Sequence, residues 1–389
     1  MTKVLFCRWN IVGEEDVLQA MEKTGLKVTV FAESMNSVDY DREYLKKLSD
    51  LLLKDQFSFV FSIDYVPVIS RVCNVFHKMY VSWTVDSPEI MLYSKTLENP
   101  CNQVFLFDRT MTDTFEARNP GHIHYMPLGT NAAHWDQIQI TEEDRRKYTA
   151  DVSFVGSLYT EKNHFNQIRE LPEYLKGYIS GLIEAQLKVY GVNFIEKVLT
   201  DEIIEEFKSC VSWQPLGSDY IEDARAIMAH GFIGLKCTEL ERGRLLKALS
   251  ERFDVDLYTK SDASSLPAVH MRGAADYREE MPKIFRLSRI NLNLTSRPIQ
   301  TGLPLRIYDI MGAGGFLLTN YQAELPEYFQ IGRDLDVFEN EKDLLNKTAY
   351  YLEHDDIRQE IADSGYRRVK ELYTYEARIK DILQIVGIR

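Results

Sequence analysis

The run Arg289–Asn320, RINLNLTSRPIQTGLPLRIYDIMGAGGFLLTN, opens with a short apolar segment, Ile290–Leu294, and closes with another, Gly315–Thr319. Each is flanked by turn-forming residues, so both read as buried strands. Between them Pro304–Met311 has the make-up of one short helix, closed by Gly312, Gly314 and Gly315. The unit is therefore strand, loop, helix, strand. Where a loop leaves the carboxyl end of a parallel strand and enters a helix, free backbone N–H groups and the helix dipole favour an anion. Arg306 and Asp309 lie three apart near that helix start and share a face. They are placed to hold a diphosphate and a ribose hydroxyl respectively.

Outward from this unit the same alternation recurs. Strands are expected at Val4–Cys7, Leu26–Phe31, Phe57–Ser62, Met79–Trp83, Gln103–Phe107 and His122–Met126. Helices fall between them, at a segment carrying Val17, Leu18 and Met21 and ending at Gly25, and at Tyr44–Leu53, Val66–Phe76 and Met111–Ala117. Strand–helix alternation calls for a parallel sheet covered on both faces. Residues 1–148 thus read as a Rossmann-like domain, with Pro127–Asp144 as its exit linker. A second such domain, 149–374, starts at Asp151–Ser157 and is interrupted over about 159–230 by helical periodicity, as in Glu202–Phe207 and Tyr220–Met228.

After this insertion Thr238-Glu239-Leu240-Glu241 reads as a capping box opening the helix Arg242–Phe253. Alternation resumes with strands Val255–Thr259 and Ala268–Met271 and the helix Tyr277–Leu287. Beyond the central run come Glu324–Phe329, Asp334–Phe338, Lys342–His354, Ile357–Tyr373 and Tyr375–Val386. Residues 375–389 form a C-terminal helix placed to pack back on the first domain. The pattern is α/β throughout, with parallel sheets and one helical insertion.

Composition excludes several classes of function. The 389 residues are 45% hydrophobic and 12% aromatic, ample for two cores, and carry a net charge of −13. Such a balance argues against a general nucleic-acid partner or an anionic membrane surface. No apolar run is long enough to span a bilayer, and the amino-terminal MTKVLFCRWN lacks the core of a signal peptide. The five cysteines are scattered without a CxxC pair, which suggests reduced thiols, a cytoplasmic setting and no zinc site.

Gly302–Thr319, followed by Glu324–Phe329, Tyr350–His354 and Gly365-Tyr366, resembles bacterial glycosyltransferases of the CgeB-like, spore-maturation-protein type, within the group 1 glycosyl transferase superfamily. Trp83–Pro88, Phe107-Asp108, Asp151–Ser157 and Ile290–Thr295 resemble signatures of the same family. The resemblance implies a GT-B fold of two facing Rossmann-like domains, the acceptor mostly on the first and a nucleotide-sugar donor, a UDP-sugar, mostly on the second. The implied activity is sugar transfer without a cofactor or metal.

In related retaining transferases two glutamates eight positions apart contact the donor. The resemblance puts Asp309 at the second of these positions, and Thr301 stands eight residues before it. After the strand ending at Gly156 such enzymes commonly carry an arginine and then a lysine. Ser157 takes the arginine position here and Lys162 matches the lysine. Arg306, Arg297 and Arg242 are the candidates for the missing cation, because a departing diphosphate needs its charge neutralised. Gly156, Ser157, Asn293, Thr295 and Gly312 complete the expected donor side.

On the first domain Asp86, in a turn after an apolar strand, is the expected catalytic carboxylate for an acceptor hydroxyl. Its alternative is a helix cap, which Ser87 and Pro88 make credible. Asn10 and Gly13, in the first strand-to-helix loop, are expected to contact acceptor or donor. His134 and His270 read as structural. The DxD strings at 39–41, 254–256 and 334–336 open strands or precede a helix, whereas a metal-holding pair would close a strand, so no metal ligand is assigned. The rival readings are a nucleotide-sugar epimerase of the same fold and a sugar-nucleotide or partner-binding protein without activity. The acceptor is left open among a protein, a cell-surface glycan and a small molecule.

Overall fold

A computed structural model of the chain describes residues 2–211, 213 and 216–388. The chain divides into two compact units, the first of Met1–Gly129, Pro215–Glu222 and Tyr373–Arg389, the second of Thr130–Gln214 and Asp223–Leu372.

The first unit holds six parallel strands: β1 (Lys3–Cys7), β2 (Lys27–Phe31), β3 (Phe59–Ile63), β4 (Met79–Trp83), β5 (Asn102–Leu106) and β6 (Ile123–Tyr125). Their order is β2-β1-β3-β4-β5-β6. All of β3 is buried, and its sequence FVFSI is nearly continuous apolar residues, as a strand covered on both faces must be. Its one hydroxyl is not wasted: Ser62 Oγ donates to the Asp64 carbonyl at 2.7 Å and lies 2.6 Å from the Tyr80 hydroxyl. Successive strands add on one side of β1 and then on the other, so the crossover point lies between β1 and β3. The last helix, Tyr375–Ile385, belongs to this unit: Lys23 pairs with Glu376 at 3.0 Å, and Tyr375 meets Trp83 edge-on at 5.9 Å.

The second unit repeats the plan with β7 (Ala150–Val155), β8 (Val255–Tyr258), β9 (His270–Gly273), β10 (Ser288–Asn293), β11 (Leu317–Asn320) and β12 (Asp336–Phe338), in the order β12-β11-β10-β7-β8-β9, again all parallel. Here the crossover point falls between β7 and β10. The central run is strand β10, a loop, the helix Leu305–Gly312 and strand β11. Gly314, at φ +87°, ends that helix in a backbone form that favours glycine. A Cβ on Gly315 would stand 2.6 Å from the Phe285 carbonyl and 2.7 Å from Asn291 Nδ2, so the chain there admits no side chain.

The regular elements described between β7 and β8 are helices, and these have a core of their own, including Leu175, Ile179, Ile195, Phe207, Met228 and Ile233.

Local readings differ from the structure in four places. Thr238 does not cap a helix. It lies inside Leu235–Ser250, its hydroxyl donating back to the Gly234 carbonyl at 2.9 Å, while Glu241 bonds Arg297 instead. A capping box does form at Thr141 and Asp144, inside the expected linker: each backbone N–H reaches the other's side chain, at 2.9 and 3.1 Å, and opens the helix Glu142–Tyr148.

Tyr220–Asp223 is not helical. The Tyr220 hydroxyl bonds Asp39 and its backbone bridges to Ser94, and the helix starts only at Ala224 before widening into a π stretch over Ile227–Gly234. The helix expected from Tyr277 begins at Met281, because Asp276 holds the N–H groups of Arg278 and Glu279 in a turn, at 2.9 and 2.8 Å.

Candidate functional site

In open α/β sheets ligands sit beyond the carboxyl ends of the strands, where the strand order reverses. In the second unit that place is marked by Arg242. Its guanidinium donates to the Leu294 carbonyl just past β10, through Nε at 3.1 Å and through Nη2, and to the Ser157 carbonyl just past β7 at 2.5 Å. It also lies over the rings of Phe154 and Tyr159, at 5.3 and 5.0 Å. Arg242 is only 8% exposed, and among the described residues no carboxylate pairs with it. Burial lowers its pKa from the ordinary value; the nearby Tyr159 and Glu241 offset part of this, and the neighbouring Arg306 charge lowers it further. A buried cation held only by neutral groups is costly, and an anion brought to these strand ends would offset that cost.

Arg306 is the more accessible cation, with 22% of its side chain exposed. It pairs with Asp309 Oδ2 at 3.3 Å, approaches Met281 Sδ at 3.0 Å and lies over Phe285. Asp309 itself is buried. Its Oδ1 accepts from the Thr130 and Tyr277 hydroxyls, each at 3.0 Å. The carboxylate therefore anchors Arg306 and the helix around it. Thr301, at the position where a second carboxylate is expected, donates to Glu324 Oε1 at 2.7 Å. Glu324 thus brings a carboxylate to Thr301 from the far side of β11, a contact that no spacing along the chain announces.

The other donor-side residues have structural engagements. Arg297 forms a buried two-pronged pair with Glu241, at 2.9 and 2.6 Å, donates to the Val189 carbonyl at 2.7 Å and stacks over Tyr190. Burial disfavours its charge, the Glu241 carboxylate more than offsets this, and its pKa is raised. It is not brought together with Arg242 and Arg306 by any contact in the structure.

Asn293 donates to the Thr295 and Thr319 hydroxyls, both at 2.9 Å, and Thr295 N–H reaches Asn320 at 2.7 Å, which ties the ends of β10 and β11. The Gly156 N–H bonds the Tyr258 carbonyl, and the Ser157 hydroxyl bonds Glu161 and the Tyr159 N–H. Lys162 lies over Tyr159 at 5.8 Å. Gly312 serves packing, since a Cβ there would come within 2.5 Å of the Thr130 methyl.

In the first unit the crossover between β1 and β3 gathers carboxylates. Glu14 accepts from the Trp9 and Asn10 N–H groups at 2.8 and 3.2 Å and from Arg8. Asn10 is exposed, at φ 69°; Gly13, at φ +88°, makes room for the Tyr375 hydroxyl. Asp86 is exposed in the loop after β4. Beneath it sits Asp64, buried, at φ 56° directly after β3, its Oδ1 accepting from the Val85 N–H at 2.8 Å. Burial, with the Asp86 charge added, pushes the Asp64 carboxyl up to about 7, and burial beside Asp64 raises Glu89 as well. Asp64 was not among the sequence candidates. The available signal was a lone acid immediately after a nearly continuous apolar strand at the sheet's crossover.

His134 lies in the short helix Ala132–Trp135, and His270 stands 3.4 Å from Asp256 on the edge strand β9. Aspartates of all three DxD strings have partners in the fold: Asp256 pairs with Arg272, Asp336 with Lys347, Asp334 with Ser364, and Asp41 caps the helix Arg42–Lys54. Among the described residues no group of three or more His, Cys, Asp or Glu could hold a metal ion, and no helix is long and apolar enough to cross a membrane.

Residues 242–384, which include Arg242, Arg306 and Asp309, match the family model described as glycosyl transferase-like. The sequence matches no protein of curated function. Several solved structures share the fold over the whole chain. A glycosyltransferase from Rickettsia africae superposes with a TM-score of 0.59 at 11% identity, over 99% of this chain and 98% of that one. HepE from Anabaena, solved with UDP-glucose, gives 0.58 at 10% identity, with all of both chains covered. The T4 phage protein BGT, solved with its UDP-glucose substrate, gives 0.54 at 9% identity, again over all of both chains. The fold is that of GT-B glycosyltransferases, and the similarity to the glycosyl transferase-like family lies in residues 242–384.

Proposed function

We propose that this protein is a CgeB-like glycosyltransferase that moves a sugar from a nucleoside diphosphate sugar, a UDP-sugar, to a hydroxyl-bearing acceptor. The observation that carries the reading is the buried Arg242, which pairs with no carboxylate among the described residues, joining the ends of β7 and β10, with the part-exposed Arg306 charge beside it. A diphosphate supplies the counter-charge that Arg242 lacks, Arg306 already being paired with Asp309, and the leaving group's own need for both cations grows as it gains charge in the transition state. Protein cations do this work without a metal. The glycosyl transferase-like match over this segment, and the UDP-glucose held by the HepE and BGT structures, support the donor class.

Arg306 is the diphosphate ligand that moves, and Arg242 the one that stays. Asp309 holds Arg306 in place, and Asn293, Thr295, Gly156, Ser157 and Gly312 shape the strand ends. On the first unit Asp86 takes the acceptor proton, with Asp64 beneath it. The compartment is the cytoplasm, in keeping with five cysteines that are all free. The test is a nucleotide-sugar screen by thermal shift, followed by donor hydrolysis. A UDP-sugar raises the melting temperature, and Arg306→Ala abolishes both the shift and slow hydrolysis while leaving the unliganded melting temperature within a few degrees. If no nucleoside diphosphate stabilises the protein, the reading fails; tight binding without turnover under any acceptor leaves only a binding protein.

A further inference from the structure

A cavity of about 640 Å³ in the second unit lies away from the strand ends just described. It opens beside the segment that leads into β12 and the second half of the helix Asp355–Leu372. Because β12 runs parallel to its neighbours, the residues entering it stand at the amino edge of the sheet, opposite the edge that carries Arg242. Ligand pockets commonly enclose 300–1,000 Å³, roughly, so the volume suits a small metabolite.

Three arginines line this cavity, in a chain of net charge −13. Arg368 is engaged by the fold: it bonds the Tyr328 carbonyl and pairs with Asp334 at 3.7 Å. Asp334 is also satisfied by the Ser364 hydroxyl at 2.7 Å and the Gln330 N–H at 2.9 Å. Arg333 and Arg367 are different. Both are exposed, and among the described residues neither has a carboxylate partner; Arg333 has only a 3.3 Å contact to the Gln330 side-chain oxygen.

Glu371, the remaining acid on the lining, is exposed and pairs with neither arginine. Cations in the last turns of a helix can serve its dipole. That accounts for Arg367 but not for Arg333, which comes from the loop before β12. The lining also includes the apolar side chains of Pro326, Phe329 and Ile331, which form its apolar wall.

We propose that this cavity is a second anion site that takes a sugar phosphate, its phosphate between Arg333 and Arg367 and its ring against the apolar wall. A guanidinium fork matches phosphate oxygens two at a time, and a phosphomonoester carries roughly −1.5 to −2 charges at neutral pH, which suits two arginines without carboxylate partners among the described residues. Sugar rings present C–H faces that pack on the apolar wall, which a bare phosphate lacks. The site is independent of the donor reading, since it shares none of its residues.

The probe is glucose 6-phosphate, titrated calorimetrically into the full chain with UDP in excess to occupy the strand-end site. Saturable binding is expected, tighter than that of inorganic phosphate. It weakens on the order of tenfold or more in the Arg333→Ala/Arg367→Ala variant, because charge-assisted hydrogen bonds are lost at both arginines. The unliganded melting temperature of that variant stays put, since both side chains are exposed. Arg306→Ala retains the binding in full. Absence of saturable binding, equal affinity for inorganic phosphate, indifference to the double substitution, or loss in Arg306→Ala would each overturn the assignment.

Discussion

Arg297 and Arg306, two arginines of the second unit, differ in kind; a paired substitution separates them.

 
Arg297 is held by Glu241 through two hydrogen bonds, by the Val189 carbonyl and by the Tyr190 ring, with 8% of its side chain and 4% of that of Glu241 exposed. Glu241→Gln keeps the shape and one acceptor but leaves the guanidinium buried without its counter-charge. Breaking a buried pair from one side costs about 3–5 kcal/mol.

Arg306 is the contrast. Its pair with Asp309 is a 3.3 Å contact three residues along a helix, and Asp309 keeps two hydroxyl donors when the arginine is gone. Removing Arg306 therefore costs about 1 kcal/mol or less in folding. Urea denaturation followed by tryptophan fluorescence measures both, and the same proteins are assayed for nucleoside diphosphate binding. The expected pattern is a destabilised Glu241→Gln that still binds at low temperature, and a stable Arg306→Ala that does not. Arg297→Met combined with Glu241→Met restores most of the lost stability, because an apolar pair leaves no buried charge. A Glu241→Gln cost below about 1 kcal/mol would refute the structural assignment of Arg297.

Other expectations follow from single contacts. Gly315→Ala drives a methyl against the Phe285 carbonyl and Asn291, at 2.6 and 2.7 Å, and should cost about 1–3 kcal/mol in the same denaturation assay. Gly177→Ala, mid-helix with open space around it, should instead stabilise by about 0.5–1 kcal/mol. Asp64 titrates at about 7 in the fold against an ordinary 3.8, so the folded protein holds a proton that the unfolded chain releases. Stability then falls as pH rises from about 4 to about 7 and levels off above, by at most about 4 kcal/mol; Asp64→Asn should flatten that slope in melts across pH. Chelation with EDTA should leave donor hydrolysis unchanged, and stimulation by added manganese would show that a metal takes part.

Periodicity alone carried much of the architecture. Strands such as FVFSI and MYVSW are nearly continuous apolar runs because helices cover both faces of their sheets, and that pattern is local. The central run resolved as strand, helix and strand for the same reason, its end marked by the left-handed Gly314. Capping was less legible. Thr238 and Glu241 have the spacing of a cap, yet a helix already runs through them from Leu235, while Thr141 and Asp144 form the cap that spacing equally allowed.

The candidate site divides along the same line. Sequence supplied the residue types at strand ends, including Arg242, Arg306, Asp309 and Asp86. It could not rank three arginines, because their difference lies in what touches them: Glu241 neutralises Arg297, Asp309 anchors Arg306, and carbonyls from two strands hold Arg242 with no carboxylate among the described residues. Nor could it join Thr301 to Glu324, or find that burial raises Asp64. Hydrophobic period is written in neighbours along the chain, and so the sequence by itself determined the alternating α/β plan. Charge compensation and desolvation are set by neighbours in space, often far apart in number, and only the tertiary structure decided those.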